Sequence, residues 1–225
     1  MTQEPVVVLA VTKMLSGMCT GGISLTSEKW VRPVKEFGTV LPGDLTYPGR
    51  TPIRPFDIVK FSLTKPFPRP PHVEDWVCDF VRSRPTLAGR LDQYLWFLEK
   101  HSEPDSHGQI LRGERSLALF EPSQVEAIFT QDSYSGKYEA RLTIPEMGER
   151  PTPVTDIKWR ALGRRLLGSS ERLTMTSGDL RDRYNMDRIF VALGLSRLHE
   201  GKHWPLIVGV HTWPDYEADV DYYNL

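Results

Sequence analysis

The residues able to do chemistry in this chain sit in a few short segments, and each sets charge beside an aromatic ring or an imidazole. In Trp30-Val31-Arg32-Pro33, alternate side chains share one face of an extended segment, so Trp30 and Arg32 stand together. A guanidinium offers a forked donor set that matches phosphate, and an aromatic ring stacks on a base for ~1–3 kcal/mol. The same pair also fits plain packing, with the indole buried and the arginine reaching for water. His72-Val73-Glu74-Asp75 gathers one imidazole and two carboxylates, which suits acid–base chemistry or merely a polar loop. Asp156 precedes Trp159 and a helical stretch, where helix capping alone accounts for it. Arg197 ends an apolar strand, and His211, Trp213 and Asp215 gather polar and aromatic groups near the C-terminus.

Many familiar mechanisms lack their signature. There is no glycine-rich phosphate loop ending in Lys-Ser or Lys-Thr, no dinucleotide fingerprint, no serine elbow and no zinc-protease motif. Cys19 and Cys78 do not form a zinc-binding spacing, so no metal and no cofactor is expected. The net charge of −1 excludes the broad basic field of a strong non-specific DNA binder, although a local basic groove remains compatible with it. Two cysteines in 225 residues point to a reducing, cytoplasmic setting. The first five residues lack a leader layout, and the apolar run 6–11 falls far short of the ~20 residues that cross a bilayer. No membrane association is expected.

The elements that must position these groups are mostly strands. Residues 6–11 read as a buried strand, and 30–34 as a strand that ends at Pro33 or lies on an edge there. Residues 38–55 read as a long surface loop, and 57–65 as a strand with clean alternation. Leu87, Leu91, Leu95 and Leu98 recur at helical spacing, which predicts a helix over 85–100. Polar residues 101–115 make a boundary, giving halves 1–105 and 106–225. Strands follow at 117–120, 125–129 and 138–144, with a hairpin turn at 134–138. A short helix over 159–167 carries Thr155 or Asp156 as its cap, and strands 189–195 and 206–210 close the second half. Between 158 and 188, eight basic residues alternate with acids, which fits an ordinary solvated face as well as a phosphate-tracking one. The tail 215–221 has four acids and no base and reads as solvated. The chain is therefore mainly β with a few helices, and small barrels or a sandwich are its natural forms.

Several of these segments together resemble the dual OB-fold domain family of bacteria. They are residues 18–23, Trp30-Val31-Arg32-Pro33, Phe56-Asp57-Ile58-Val59 and residues 71–76 in the first half. In the second half they are Val154-Thr155-Asp156 with Trp159, Leu195-Ser196-Arg197 and Trp213-Pro214-Asp215-Tyr216. The resemblance spans nearly the whole chain and implies two OB-like barrels in tandem. It also implies nucleotide or nucleic-acid binding in prokaryotic defence systems. Residues 179–187 depart from it as a polar insertion.

Two functional readings follow, with a third beside them. In a binding module, Trp30, Arg32, Arg197, His211, Trp213 and Asp215 would line one site for a nucleotide or single strand. In an enzyme acting on such a ligand, His72 or His211 would be the base, Asp75 or Asp156 would orient it, and Arg197 would stabilise developing charge. A scaffold for a protein partner would use exposed edges and proline-rich loops.

Overall fold

The computed structural model describes residues 2–14, 17–218, 220 and 222. Strands β1 (Thr2–Met14), β2 (Gly17–Ser24), β3 (Trp30–Val34), β4 (Asp57–Pro66) and β5 (Asp75–Cys78) close a barrel. Its order is β1-β2-β3-β5-β4 and back to β1, with β3 and β5 parallel and the other pairs antiparallel. This is the five-stranded arrangement of an OB fold, and closure removes the exposed edges that a small open sheet would carry. Strand β6 (Thr86–Arg90) adds to β4 outside the ring.

Past the barrel the chain forms α1 (Tyr94–His101), which ends the first half, and then α2 (Ser106–Leu111), β7 (Leu117–Phe120), β8 (Glu126–Gln131), β9 (Tyr138–Thr143) and β10 (Thr152–Pro153). It continues with α3 (Ile157–Leu167), β11 (Arg172–Thr176), α4 (Ser177–Tyr184), β12 (Arg188–Leu195) and β13 (Pro205–Trp213). One sheet runs β10-β9-β8-β11 and the other β13-β12-β7. Val154 joins them: it bridges Ile207 in parallel and donates its N–H to the Ala140 carbonyl at 2.8 Å. The strands thus repeat the order of the first barrel, with residues 152–155 completing the parallel pair.

The apolar run of the first strand is explained by burial on both faces. Val6 and Val8 fill the first barrel, while Val7 and Leu9 face the second half. A bulge between Val8 and Ala10 sets both Leu9 and Ala10 against the second half and returns Val11 to the barrel. There they meet Leu119, Phe190, Ala192 and Val208 of β7, β12 and β13. Each Val, Leu or Phe among them contributes roughly 1.5–3 kcal/mol on full burial, so the two halves share a core rather than a linker. Glycines make two close approaches possible, one between β1 and β2 of the first barrel and one between the halves. A Cβ at Gly22 would lie 2.0 Å from the Val7 carbonyl oxygen, and one at Gly209 would lie 2.2 Å from that of Leu9.

Several elements differ from the sequence reading. The helix expected over 85–100 starts only at Tyr94, because 86–90 pairs with the free edge of β4. The expected surface loop 38–55 sends Val40, Leu45, Tyr47 and Ile53 into the first barrel. The polar stretch 179–187 contains most of α4, whose cap is reciprocal: Thr176 accepts from the Asp179 N–H, and the Asp179 carboxylate accepts from the Thr176 N–H. The tail is not simply solvated. Tyr216 joins the second core, and Tyr222 enters the first barrel with its hydroxyl on the Ile53 carbonyl. Asp219 and Asp221 of that tail lie outside the described residues. Among the described residues no helix is long and apolar enough to cross a membrane.

Candidate functional site

Strands β3 and β5 place Arg32 directly beside Asp75. Arg32 Nε donates to Asp75 Oδ1 at 2.6 Å, and its Nη2 donates to Ser116 Oγ at 2.9 Å. Arg197, just past β12, donates to the other carboxylate oxygen at 2.9 Å. Two arginines from different halves therefore flank one buried carboxylate. Arg32 and Asp75 are only 5% and 1% exposed, whereas the Arg197 side chain is 47% exposed. Glu74 completes the joint by accepting from the backbone N–H groups of Ser116 and Leu117 at 2.9 and 3.0 Å, and from Ser116 Oγ at 2.7 Å.

His72 lies behind this network. Its ring is buried, packs edge-on against His203 at 5.2 Å, and has no hydrogen-bond partner on either nitrogen among the described residues. Burial, reinforced by the charges of Arg32 and Arg197, holds its pKa down to about 3, so the ring is neutral.

Beside the Asp75 network opens a cleft of about 300 Å³. The outer ends of β2 and β3 supply Met18, Cys19 and Pro33, and the loop between β4 and β5 supplies Phe67 and Arg69. Lys35, Asp75 and Arg197 also line it. The proline explains how the cleft opens. Arg32 N–H points to the Glu74 carbonyl of the β5 side, so the next residue faces β2, where pairing stops after Val31. Pro33 has no N–H to lose there. Arg69 stacks over the Phe67 ring at 4.0 Å, and Lys35 is paired with Asp44 at 2.5 Å. Burial pushes the Cys19 thiol pKa up, opposed by Arg32 and Arg197. A smaller void of about 40 Å³ shares Cys19 and Arg197 with the cleft and continues between β1, β2 and the second half. The second half thus covers much of the outer β1–β2–β3 face, and the cleft is the part left open.

The remaining sequence candidates form a second group. Asp156 caps α3, accepting from the Lys158 N–H at 2.8 Å, and its other oxygen accepts from the Val210 N–H at 2.8 Å. Burial raises its pKa to about 6 against the pull of those bonds. Both oxygens are committed to backbone, so Asp156 orients neither histidine. His211 Nε2 stands 2.9 Å from the Leu9 carbonyl and must carry the proton in that bond, tying β13 to β1. Burial, with the Lys158 charge adding, holds its pKa down to about 3. Trp213 packs on Tyr94 at 5.2 Å, and both Asp215 oxygens accept from Lys158 Nζ at 2.7 and 2.8 Å. Among the described residues the two groups have no hydrogen-bond or ion-pair partner in common. His72, Asp75 and Asp156 therefore do not assemble as one acid–base unit.

Trp30 shares the face of Arg32, as the alternation predicts, but packs against the core between the halves. With Trp76 it lines a separate groove of about 630 Å³. Sequence reasoning missed Phe67 and Arg69. The run of prolines around them hid a loop between the fourth and fifth barrel strands, and β5 itself was masked by its polar start at Asp75.

Two barrels of OB order, packed through a shared core, define a tandem OB protein. The family model described as the dual OB-containing domain matches residues 5–210, and the chain belongs to that family. No curated protein and no solved structure matched significantly.

Proposed function

We propose that the chain is a binding module for a nucleotide or a single-stranded nucleic acid, seated in the cleft beside Asp75. The observation that carries this reading is the meeting there of the Phe67–Arg69 stack with the half-exposed Arg197. OB folds bind oligonucleotides on the face of their second and third strands, flanked by the loop between the fourth and fifth. The cleft occupies that position. Phe67 offers a stacking surface that tolerates any base, and Arg69 and Arg197 offer forked donors to phosphate. Arg32 is buried and acts indirectly, by fixing the carboxylate that positions Arg197. A histidine held near 3 is a poor proton acceptor at neutral pH, which favours binding over acid–base catalysis. A sensing role in defence, as the family resemblance implies, would use the same contact: a phosphate drawing Arg197 from Asp75 would loosen the joint between the halves.

The test is a fluorescence polarisation titration with short single-stranded DNA and RNA, and with labelled mononucleotides, at low salt. Saturable binding that weakens as salt rises is expected. Absence of binding by every probe at low salt would overturn the proposal.

A further inference from the structure

We propose that a second pocket, formed by Arg54 and Arg90 of the first half and by α3 of the second, binds a phosphate monoester or free phosphate. The pocket measures about 370 Å³, and residues 215–218 form part of its wall. It shares no lining residue with the cleft beside Asp75, so the inference stands apart from that reading.

Its charge is the first argument. Among the described residues, Arg54, Arg90, Lys158 and Arg165 face Asp215 and Glu217, with Asp57 beside Arg90, an excess of one positive charge in a chain whose net charge is −1. A wall with a net positive charge favours an anion. The free donors are the second argument. Lys158 Nζ neutralises Asp215 through both oxygens and lies 4.3 Å from the Tyr216 ring centroid, which fixes the ammonium in place. Arg165 uses only Nη2, on the Glu217 carbonyl at 3.0 Å. Arg90 touches Asp57 at 3.3 Å and keeps a 51% exposed side chain. The Arg54 guanidinium has no hydrogen-bond or ion-pair partner among the described residues, although its backbone N–H is held by Asp57 at 2.9 Å. Three forked donor groups with unused N–H therefore surround one opening, and a guanidinium fork fits phosphate oxygens two at a time.

Chemistry alone leaves two sources for such a phosphate: the free ion, or the terminal phosphate of a nucleotide or nucleic-acid end. Calorimetric titration with inorganic phosphate, and polarisation with 5′-phosphorylated and 5′-hydroxyl oligonucleotides, separates them. The wild type is compared with an Arg54→Gln/Arg165→Gln double variant and with Arg183→Ala, on the exposed face of α4 and outside both pockets. Both pocket positions are exposed, so the double variant should fold, and its thermal midpoint checks this. Inorganic phosphate should bind the wild type and Arg183→Ala alike and bind the double variant at least about tenfold more weakly. A preference for the 5′-phosphorylated strand that vanishes in the double variant would identify the nucleic-acid end as the source; its absence alongside phosphate binding would identify the free ion. Equal affinity of wild type and double variant for both probes, or no saturable phosphate binding at all, overturns the pocket.

Discussion

Asp75 and Arg197 lie 122 positions apart in the chain and meet at 2.9 Å, on the carboxylate oxygen that Arg32 leaves free. The two ion pairs at Asp75 are unequal. The one to Arg32 is desolvated, and removing a partner from a buried pair costs about 3–5 kcal/mol because the other charge is stranded. The one to Arg197 is half exposed, and such pairs contribute about 1 kcal/mol or less. Asp75→Asn should therefore lower stability several-fold more than Arg197→Gln in urea denaturation followed by tryptophan fluorescence. Equal losses from the two variants would show that Arg32 does not depend on Asp75.

Asp156 makes stability depend on pH in a direction unusual for a carboxylate. Its pKa is raised to about 6 in the folded chain, against about 3.9 when unfolded. The folded state then holds its proton more tightly, so its contribution is present at low pH and is lost as pH rises from about 4 through 6. The change across that window is about 3 kcal/mol. Urea midpoints measured from pH 4 to 7 should show Asp156→Asn lacking this decline, at the cost of one backbone hydrogen bond. An unchanged pH profile in the variant would mean that Asp156 is ionised throughout.

His211 acts in the opposite sense. Its pKa is held down to about 3, against about 6.5 when unfolded. Its contribution is full above pH 6.5 and is lost as pH falls from there towards 3, on the order of 5 kcal/mol if the site stays dry. His211→Gln keeps a donor for the Leu9 carbonyl without taking up a proton. The variant should be less stable at pH 8 but should lose less on acidification. A wild-type slope in its acid limb would refute the assignment.

Legibility in the sequence followed local pattern and failed where the tertiary frame decided. Residues 57–65, 138–144 and 189–195 announce themselves by alternation or by an apolar run, and all three are strands. Trp30 and Arg32 share a face as period two requires, and Arg32 and Arg197 do converge. What no local pattern shows is which face another domain covers. Arg32 looks like a ligand residue until the second half closes over it. His211 and Asp156 look catalytic because they are polar, yet each is polar in order to satisfy a backbone group where two barrels meet. Residues 86–90 follow a helical leucine spacing but are taken by the open edge of β4.

The joint between the halves also depends on a missing side chain. A Cβ at Gly209 would fall 2.2 Å from the Leu9 carbonyl oxygen and 2.9 Å from His211 Nε2. Neither backbone strand can yield without disturbing the shared core. Gly209→Ala should therefore cost about 3 kcal/mol, at the upper end of ordinary overpacking. Gly43→Ala, where an added methyl meets nothing within 4 Å, is the control and should be nearly neutral. Comparable thermal midpoints for the two variants would mean that β13 can shift away from β1 freely.

The cleft makes its own quantitative demand. If a single strand lies across it, Phe67 supplies stacking and Arg69 and Arg197 supply phosphate contacts. Phe67→Ala should then weaken binding by about 1–3 kcal/mol, with the dependence on salt unchanged, because stacking releases no counterions. Arg69→Ala and Arg197→Gln should each reduce the slope of log affinity against log salt by about 0.7, the value for one phosphate contact on a single strand. Arg183→Ala, on the exposed face of α4 and remote in sequence from the cleft lining, should leave the slope as it was. Polarisation titrations at four salt concentrations separate the two kinds of contact. A full wild-type slope in the Arg69/Arg197 double variant would place the phosphates elsewhere on the molecule, since no other difference between these proteins could restore the lost counterion release.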